Sequence, residues 1–140
     1  MDTHLVRLAN AFGTPNVVCA DYVCHMPRVL AAELTFGFFP GADYGYPPAC
    51  IISWGANDAE THFCRHKGLV RAAHEGAKLI AIDPRETEVA KRADLWLRVR
   101  PSSDLALALA MINVIINEGL YDKDFVDKWT VGFDLSLIHI

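Results

Sequence analysis

The chain has 140 residues, about the size of one domain, with 52% hydrophobic residues, 21% charged residues and a formal net charge of −4. That is apolar enough for a buried core, and an acidic balance without a basic stripe excludes nucleic acid as an expected partner. The longest apolar run, Leu105 to Ile112, is too short to span a bilayer, and no signal peptide is visible at the N-terminus.

In chain order, residues 3 to 12 predict a short helix stopped at Gly13, followed by turn chemistry at Thr14-Pro15-Asn16. Pro27 favours a first helical turn, so a second helix is predicted from about Pro27 to Leu34. Cys24 then falls at or just before a helix N-terminus, where the partial positive charge favours a thiolate. Such a thiol is a nucleophile, a soft metal ligand or only structural, and His25 beside it could move protons. Asp21 and Tyr22 could line the same site, with no specific role. A long Gly/Pro/aromatic loop, Phe36 to Pro48, has the length of a functional loop.

Ala49 to Trp54 reads as a buried strand ending at Gly55, followed by a helix from about Glu60 to His74 closed by Gly76. Lys78 to Ile82 is a second buried strand, a short helix is expected near Glu86 to Arg92, and Leu95 to Val99 is a third strand. Asp104 is expected to cap an apolar helix from Leu105 to about Glu118, and a short helix spans Lys123 to Trp129. The apolar helix is hydrophobic nearly all round, as in a larger protein's interior. Alternating strands and helices predict an α/β fold, a three-layer αβα arrangement with a mainly parallel sheet resembling dinucleotide-binding folds.

The four cysteines, Cys19, Cys24, Cys50 and Cys64, include no Cys-x-x-Cys, so reduced and mostly buried thiols are expected, with Cys50 in the core. His62 and His66, at i and i+4 on the predicted helix, could share a zinc ion, but no third ligand is evident.

Ligands of open parallel sheets bind beyond the carboxyl ends of the strands. There stand Trp54-Gly55-Ala56-Asn57, Asp83-Pro84-Arg85-Glu86-Thr87 and Arg100-Pro101-Ser102-Ser103-Asp104. Gly55 permits close approach of a phosphate, Arg85 can fork onto one, Asp83 suits ribose or base donors, and Asp104 could accept from a guanine edge. Each also has a plain structural role: Gly55 and Asp83-Pro84 as turns, Asp104 as a cap, Trp54 as sheet packing. Gly-x-Gly-x-x-Gly is absent, which argues against an ordinary NAD domain.

Taken together, Asn16 separated by seven residues from Cys24-His25-x-Pro27, then Trp54-Gly55-Ala56-Asn57, Gly76 through Thr87, Ala93-Asp94, Pro101 through Leu107, Leu120 through Val126 and Gly132-Phe133-Asp134 resemble the molybdopterin oxidoreductase family. The resemblance covers roughly residues 5 to 134 in the family's order. It implies bis-molybdopterin guanine dinucleotide with molybdenum or tungsten as cofactor and Cys24 as the metal ligand. His25 is implied as the proton-handling catalytic residue. Trp54, Gly55, Asn57, Glu60 and Thr61 are implied as one contact to a nucleotide, Asp83, Pro84, Arg85 and Thr87 as a second, and Ser102, Ser103 and Asp104 as a third. Cysteine followed by histidine is most similar to the formate dehydrogenase, thiosulfate/polysulfide reductase and acetylene hydratase-like branches.

The resemblance further implies a small-molecule substrate, with the remaining domains of the same subunit and an iron–sulfur electron-transfer subunit as partners. An iron–sulfur cluster is expected in an N-terminal part that this sequence lacks. The chain is thus read as a fragment, 1–134, of the cofactor-binding domain, with 135–140 expected to be a non-native tail. Two departures stand out: Asp58 where the family usually has proline, adding negative charge near a pyrophosphate, and Pro-Ser-Ser-Asp in place of Pro-Gly-Thr-Asp. The alternatives are non-redox hydration of the acetylene hydratase kind and a non-catalytic nucleotide-binding module in which Cys24 is structural.

Overall fold

The computed structural model describes residues 3–18, 22–46 and 48–133. Cys19, Asp21, Pro47 and the expected tail 135–140 lie outside them. The chain divides into two compact units, 1–43 and 44–140, each taken by itself here.

The first unit holds two helices, α1 (Thr3–Phe12) and α2 (His25–Phe36). Between them Asn16 N–H donates to the Thr14 hydroxyl at 3.2 Å, the turn predicted there. α2 begins two residues before Pro27, with Cys24 as its N-cap. Ala9 and Ala32 are the buried helical residues of this unit, while Leu8, Phe12 and Leu34 are exposed.

The second unit is built on three strands, β1 (Cys50–Trp54), β2 (Lys78–Ile82) and β3 (Leu95–Leu97), in the order β1-β2-β3 and all parallel. The register pairs Ile51 with Leu79, Ser53 with Ala81, and Ala81 with Trp96, so these five residues share one face. Leu79 and Ala81 are buried there with Leu69 of helix α4 (Phe63–His74) and with Val89 and Ala90. The opposite face carries Ile82, fully buried, beside Ile52 and Leu95, which are 46% and 48% exposed. This is the parallel α/β arrangement that the alternation of elements predicts.

The approach of Tyr44 to α4 depends on Gly68. A Cβ there would lie 2.5 Å from the Tyr44 ring, so only glycine leaves room for it. Arg71 Nη2 also donates to the Tyr44 carbonyl at 2.8 Å.

Several expectations are corrected in detail. The helix predicted from Glu60 to His74 is two helices, α3 (Asp58–Thr61) and α4, separated by His62 with φ −142° and ψ 68°. The Asn57 carbonyl accepts from the Glu60 and Thr61 N–H groups and from the Thr61 hydroxyl, which closes a single turn and stops it. The helix expected at Glu86 to Arg92 is only a 3₁₀ turn, Ala90–Arg92. There Thr87, itself buried, accepts from Ala90 N–H at 3.1 Å, and Val89 is drawn into the core, leaving no length for an α-helix.

β3 ends at Leu97, because Val99 N–H turns back to the Leu97 carbonyl at 3.0 Å. Cys50 opens an edge strand and is exposed, as are Cys24 and Cys64, so the expectation of buried thiols does not hold for these three. Helix α5 (Asp104–Asn117), whose apolar surface is expected to be covered in a larger protein, has no residue buried within this chain, and helix α6 (Lys123–Trp129) is capped by Asp122 accepting from Phe125 N–H at 2.9 Å. Among the described residues no helix is long and apolar enough to cross a membrane.

Asp94 fixes the entry to β3. Its carboxylate accepts from Leu79 N–H at 2.8 Å and from Lys78 Nζ at 3.2 Å, and the Leu79 N–H bond first, then Lys78, holds it below the ordinary aspartate range. A lowered carboxylate pKa stabilises the fold above the ordinary aspartate value, and that contribution disappears as pH falls through the lowered one. Asp94→Asn is therefore expected to lower the Tm by a few degrees at neutral pH. The difference from the parent should vanish at the acid end of a pH series of thermal melts.

Candidate functional site

Parallel pairing places the carboxyl ends of β1, β2 and β3 along one edge of the sheet. The three segments predicted to carry chemistry leave the sheet there and are bonded to one another. Gly55 N–H donates to the Ile82 carbonyl at 2.8 Å, tying the end of β1 to the end of β2. Asp83 N–H donates to Leu97 O at 3.2 Å, and Trp96 Nε1 donates to Asp83 O at 2.9 Å, tying β2 to β3. Trp54 Nε1 donates to Asp104 Oδ1 at 2.7 Å, joining the first segment to the third across 50 positions of sequence.

In the first segment Gly55 has φ +56°, and a Cβ built on it meets nothing within 4 Å. Its Cα therefore faces open space at the sheet edge. The Asn57 side-chain oxygen is buried and has no partner among the described residues, an acceptor left over at the start of α3. Glu60 and Thr61 are exposed on that turn. Asp58, 5% exposed, does not add an unbalanced charge: Arg65 Nη1 lies 3.8 Å and His62 Nδ1 3.6 Å from its carboxylate. Burial first, then this carboxylate, holds the Tyr44 phenol above its ordinary value, with Arg65 acting in the opposite direction.

In the second segment Asp83 Oδ1 accepts from Arg85 N–H at 2.8 Å, the turn that its position predicts. The Arg85 side chain is exposed and, like those of Arg98 and Arg100, forms no ion pair among the described residues. Pro84 is exposed, and its carbonyl accepts from Arg98 Nε at 3.2 Å. Thr87 faces inward and closes the 3₁₀ turn, so its hydroxyl shapes the segment from beneath.

The third segment contains Ser102 at φ +69°, and the Ser103 hydroxyl donates to Arg100 O at 2.6 Å. Asp104 is the first residue of α5 rather than its cap: Ser103 takes the N-cap position, with no side-chain cap bond, and the Asp104 carboxylate receives Trp54 instead.

Arg98 is a basic residue that sequence reasoning passed over, and Arg100, although named in its segment, was given no role. Arg98-Val99-Arg100 directly after the third strand was the available signal. With Arg85 they bring three exposed guanidinium groups to the carboxyl edge, beside the carboxylates of Asp83 and Asp104, and a guanidinium can fork onto a phosphate.

Cys24 and His25 belong to the first unit. Cys24 is exposed at the start of α2, and its side chain makes no capping bond. Arg28 Nη2 lies 3.3 Å from His25 Nδ1, and the Phe39 ring packs edge-on to the imidazole at 5.9 Å while lying under the Arg28 guanidinium at 4.9 Å. A guanidinium only donates, so His25 Nδ1 is the acceptor in this contact.

The pairing considered for His62 and His66 is not a helical one, because His62 lies at the break between α3 and α4 and its Nδ1 is 3.1 Å from the Thr61 hydroxyl. Among the described residues no group of three His, Cys, Asp or Glu side chains is placed to hold a metal ion.

The family model described as molybdopterin oxidoreductase matches residues 3–133. The acetylene hydratase of Syntrophotalea acetylenica is 41% identical over 93% of this chain and 18% of its own length. The thiosulfate reductase molybdopterin-containing subunit of Salmonella typhimurium is 36% identical over 96% of this chain and 18% of its own. The F420-dependent formate dehydrogenase subunit alpha of Methanocaldococcus jannaschii is 46% identical over 61% of this chain and 13% of its own. A solved structure, acetylene hydratase from Pelobacter acetylenicus, superposes with a TM-score of 0.76 at 39% identity, covering 96% of this chain and 18% of that one. The chain thus spans about a fifth or less of the length of these relatives.

The turn at Gly55 yields a prediction. Gly55→Ala forces an alanine into the left-handed region and should destabilise the chain by ~1–2 kcal/mol. Gly55→Asn, which tolerates that region, should cost clearly less. Denaturant midpoints measure both, and equal losses would show that φ is not what selects glycine.

Proposed function

The chain belongs to the molybdopterin oxidoreductase family, and from that premise we propose that it is the part of a catalytic subunit that holds one guanine nucleotide end of a bis-molybdopterin guanine dinucleotide and supplies the cysteine ligand, Cys24, to molybdenum or tungsten. The observation that carries this reading is the convergence of three segments on one sheet edge, tied by Gly55 to Ile82, Trp96 to Asp83 and Trp54 to Asp104. A ligand with phosphates and a donor-bearing base fits that edge. The open Cα of Gly55 gives room for close approach, and the buried Asn57 oxygen, without a partner among the described residues, lacks a donor that the ligand could supply.

In this reading Arg85, Arg98 and Arg100 neutralise the pyrophosphate, Asn57, Glu60 and Thr61 line its near side, and Ser102, Ser103 and Asp104 receive the base. Asp83, Pro84 and Thr87 shape the central turn. When bound, the metallo-pterin supplies two-electron redox chemistry by oxygen-atom or hydride transfer to a small substrate. Cys24 presents an exposed sulfur at the start of α2, where a soft metal could reach it. His25, whose Nδ1 faces Arg28, offers Nε2 as the ring nitrogen that would hydrogen-bond a substrate in the proton-handling role.

A formate dehydrogenase-like or sulfur-compound reductase-like reaction follows from the Cys24-His25 pair and from two of the relatives. Electrons would then leave through an iron–sulfur cluster and subunit outside this chain. A second reading, hydration without net redox, is favoured by the 41% identity to an acetylene hydratase.

The test is made on the intact enzyme containing this chain. Cys24→Ser should reduce bound metal and lower turnover by more than about tenfold, since even residues that only support metal ligands are worth ~10–100-fold. Unchanged turnover with a normally bound metal would refute the ligand assignment. Parallel assays with a redox dye and with alkyne hydration separate the two reaction classes.

A further inference from the structure

The hydrogen bond from Trp54 to Asp104 deepens this reading and rests on its assignment of Asp104 to the base of the nucleotide. At 2.7 Å it joins the last residue of β1 to the first residue of α5. Asp104 is exposed, and without this bond its side chain would be free to exchange rotamers or to fold back as a cap. The cap position is instead held by Ser103, whose hydroxyl is engaged with Arg100 O at 2.6 Å. One carboxylate oxygen, Oδ1, is therefore fixed by a donor on the sheet, and the plane of the carboxylate is constrained.

We propose that Trp54 is a positioning residue that sets the base preference of the site: its indole N–H orients the Asp104 carboxylate to accept the paired donors of a guanine and to disfavour adenine. Guanine offers N1–H and its 2-amino group side by side, a match for a carboxylate held in one orientation. Adenine presents a lone pair at N1, which faces a carboxylate unfavourably. Fixing the acceptor before the ligand arrives removes the ordering cost that an exposed side chain would add to each binding event. Stacking, the other role available to an aromatic at a strand end, would use the ring face and leave the indole N–H without a special partner. The observed bond favours positioning, and it makes Trp54 act through Asp104.

The experiment uses the full chain with GDP, ADP and xanthosine diphosphate as probes, followed by calorimetry and by indole N–H resonances. The parent should bind GDP more tightly than ADP. Trp54→Phe keeps the ring and removes the donor, and it should shrink the GDP-over-ADP ratio by about tenfold, the usual scale for a hydrogen bond to a charged group, with ADP affinity unchanged. The Trp54 indole N–H resonance should move in Asp104→Ala, while that of Trp96, bonded to the Asp83 carbonyl, stays in place. Asp104→Asn exchanges an acceptor for a donor and should shift preference from GDP to xanthosine diphosphate.

If Asp104→Asn shifts the preference but Trp54→Phe leaves the GDP-over-ADP ratio intact, the positioning role is wrong and the guanine assignment survives. If the parent shows no preference for GDP and Asp104→Asn changes nothing, the assignment of this edge to a guanine base fails, and the role of Trp54 fails with it. An indole resonance of Trp54 that ignores Asp104→Ala overturns the hydrogen bond itself.

Discussion

Parallel pairing of β2 with both of its neighbours is the constraint on which the candidate site depends. A central strand paired in parallel on both sides sends all three carboxyl ends to one edge, so segments starting at residues 54, 83 and 100 become neighbours although they are far apart in sequence. The pairing is stabilised from one face by burial of Leu79 and Ala81 against Leu69, Val89 and Ala90. It is fixed at the other end of the sheet by Asp94, which bonds to Leu79 N–H as the chain enters β3. Register, core and site are therefore one system: a shift of β2 by one residue would exchange its two faces and separate Gly55 N–H from the Ile82 carbonyl.

What was legible in the sequence followed from composition that admits one local solution. Cys50 to Trp54 and Lys78 to Ile82 are short apolar runs bounded by turn residues, and both form strands within a residue of their expected limits. Asp83-Pro84 reads as a turn and is one, with Asp83 accepting from Arg85 N–H. What was not legible depends on side chains finding partners across the fold. His62 breaks a helix that periodicity runs straight through, because Asn57 and Thr61 close the first turn upon themselves. Thr87 and Val89 are pulled inward, which shortens the predicted helix at 86–92 to a 3₁₀ turn.

Asp104 shows most clearly how far local reading extends at the site. An aspartate before an apolar helix is a good cap, and nothing nearby in sequence says otherwise. Its partner is Trp54, 50 positions away, and the pairing exists only because β1 and the start of α5 meet at the same edge. The extra charge of Asp58 is another case. It stands as a departure in the family pattern, yet His62, four residues on, and Arg65, seven residues on, sit against it. In both cases the residue type was visible, and the tertiary partner that decides its role was not.

The central claim is that the carboxyl edge of the sheet binds a nucleotide through all three segments at once. Hydrogen–deuterium exchange of the chain, with and without GDP, measures this segment by segment. The account predicts that exchange slows together across residues 55–61, 83–87 and 100–104, with little change in α6. Slowing confined to residues outside that edge, or none at saturating GDP, would contradict it.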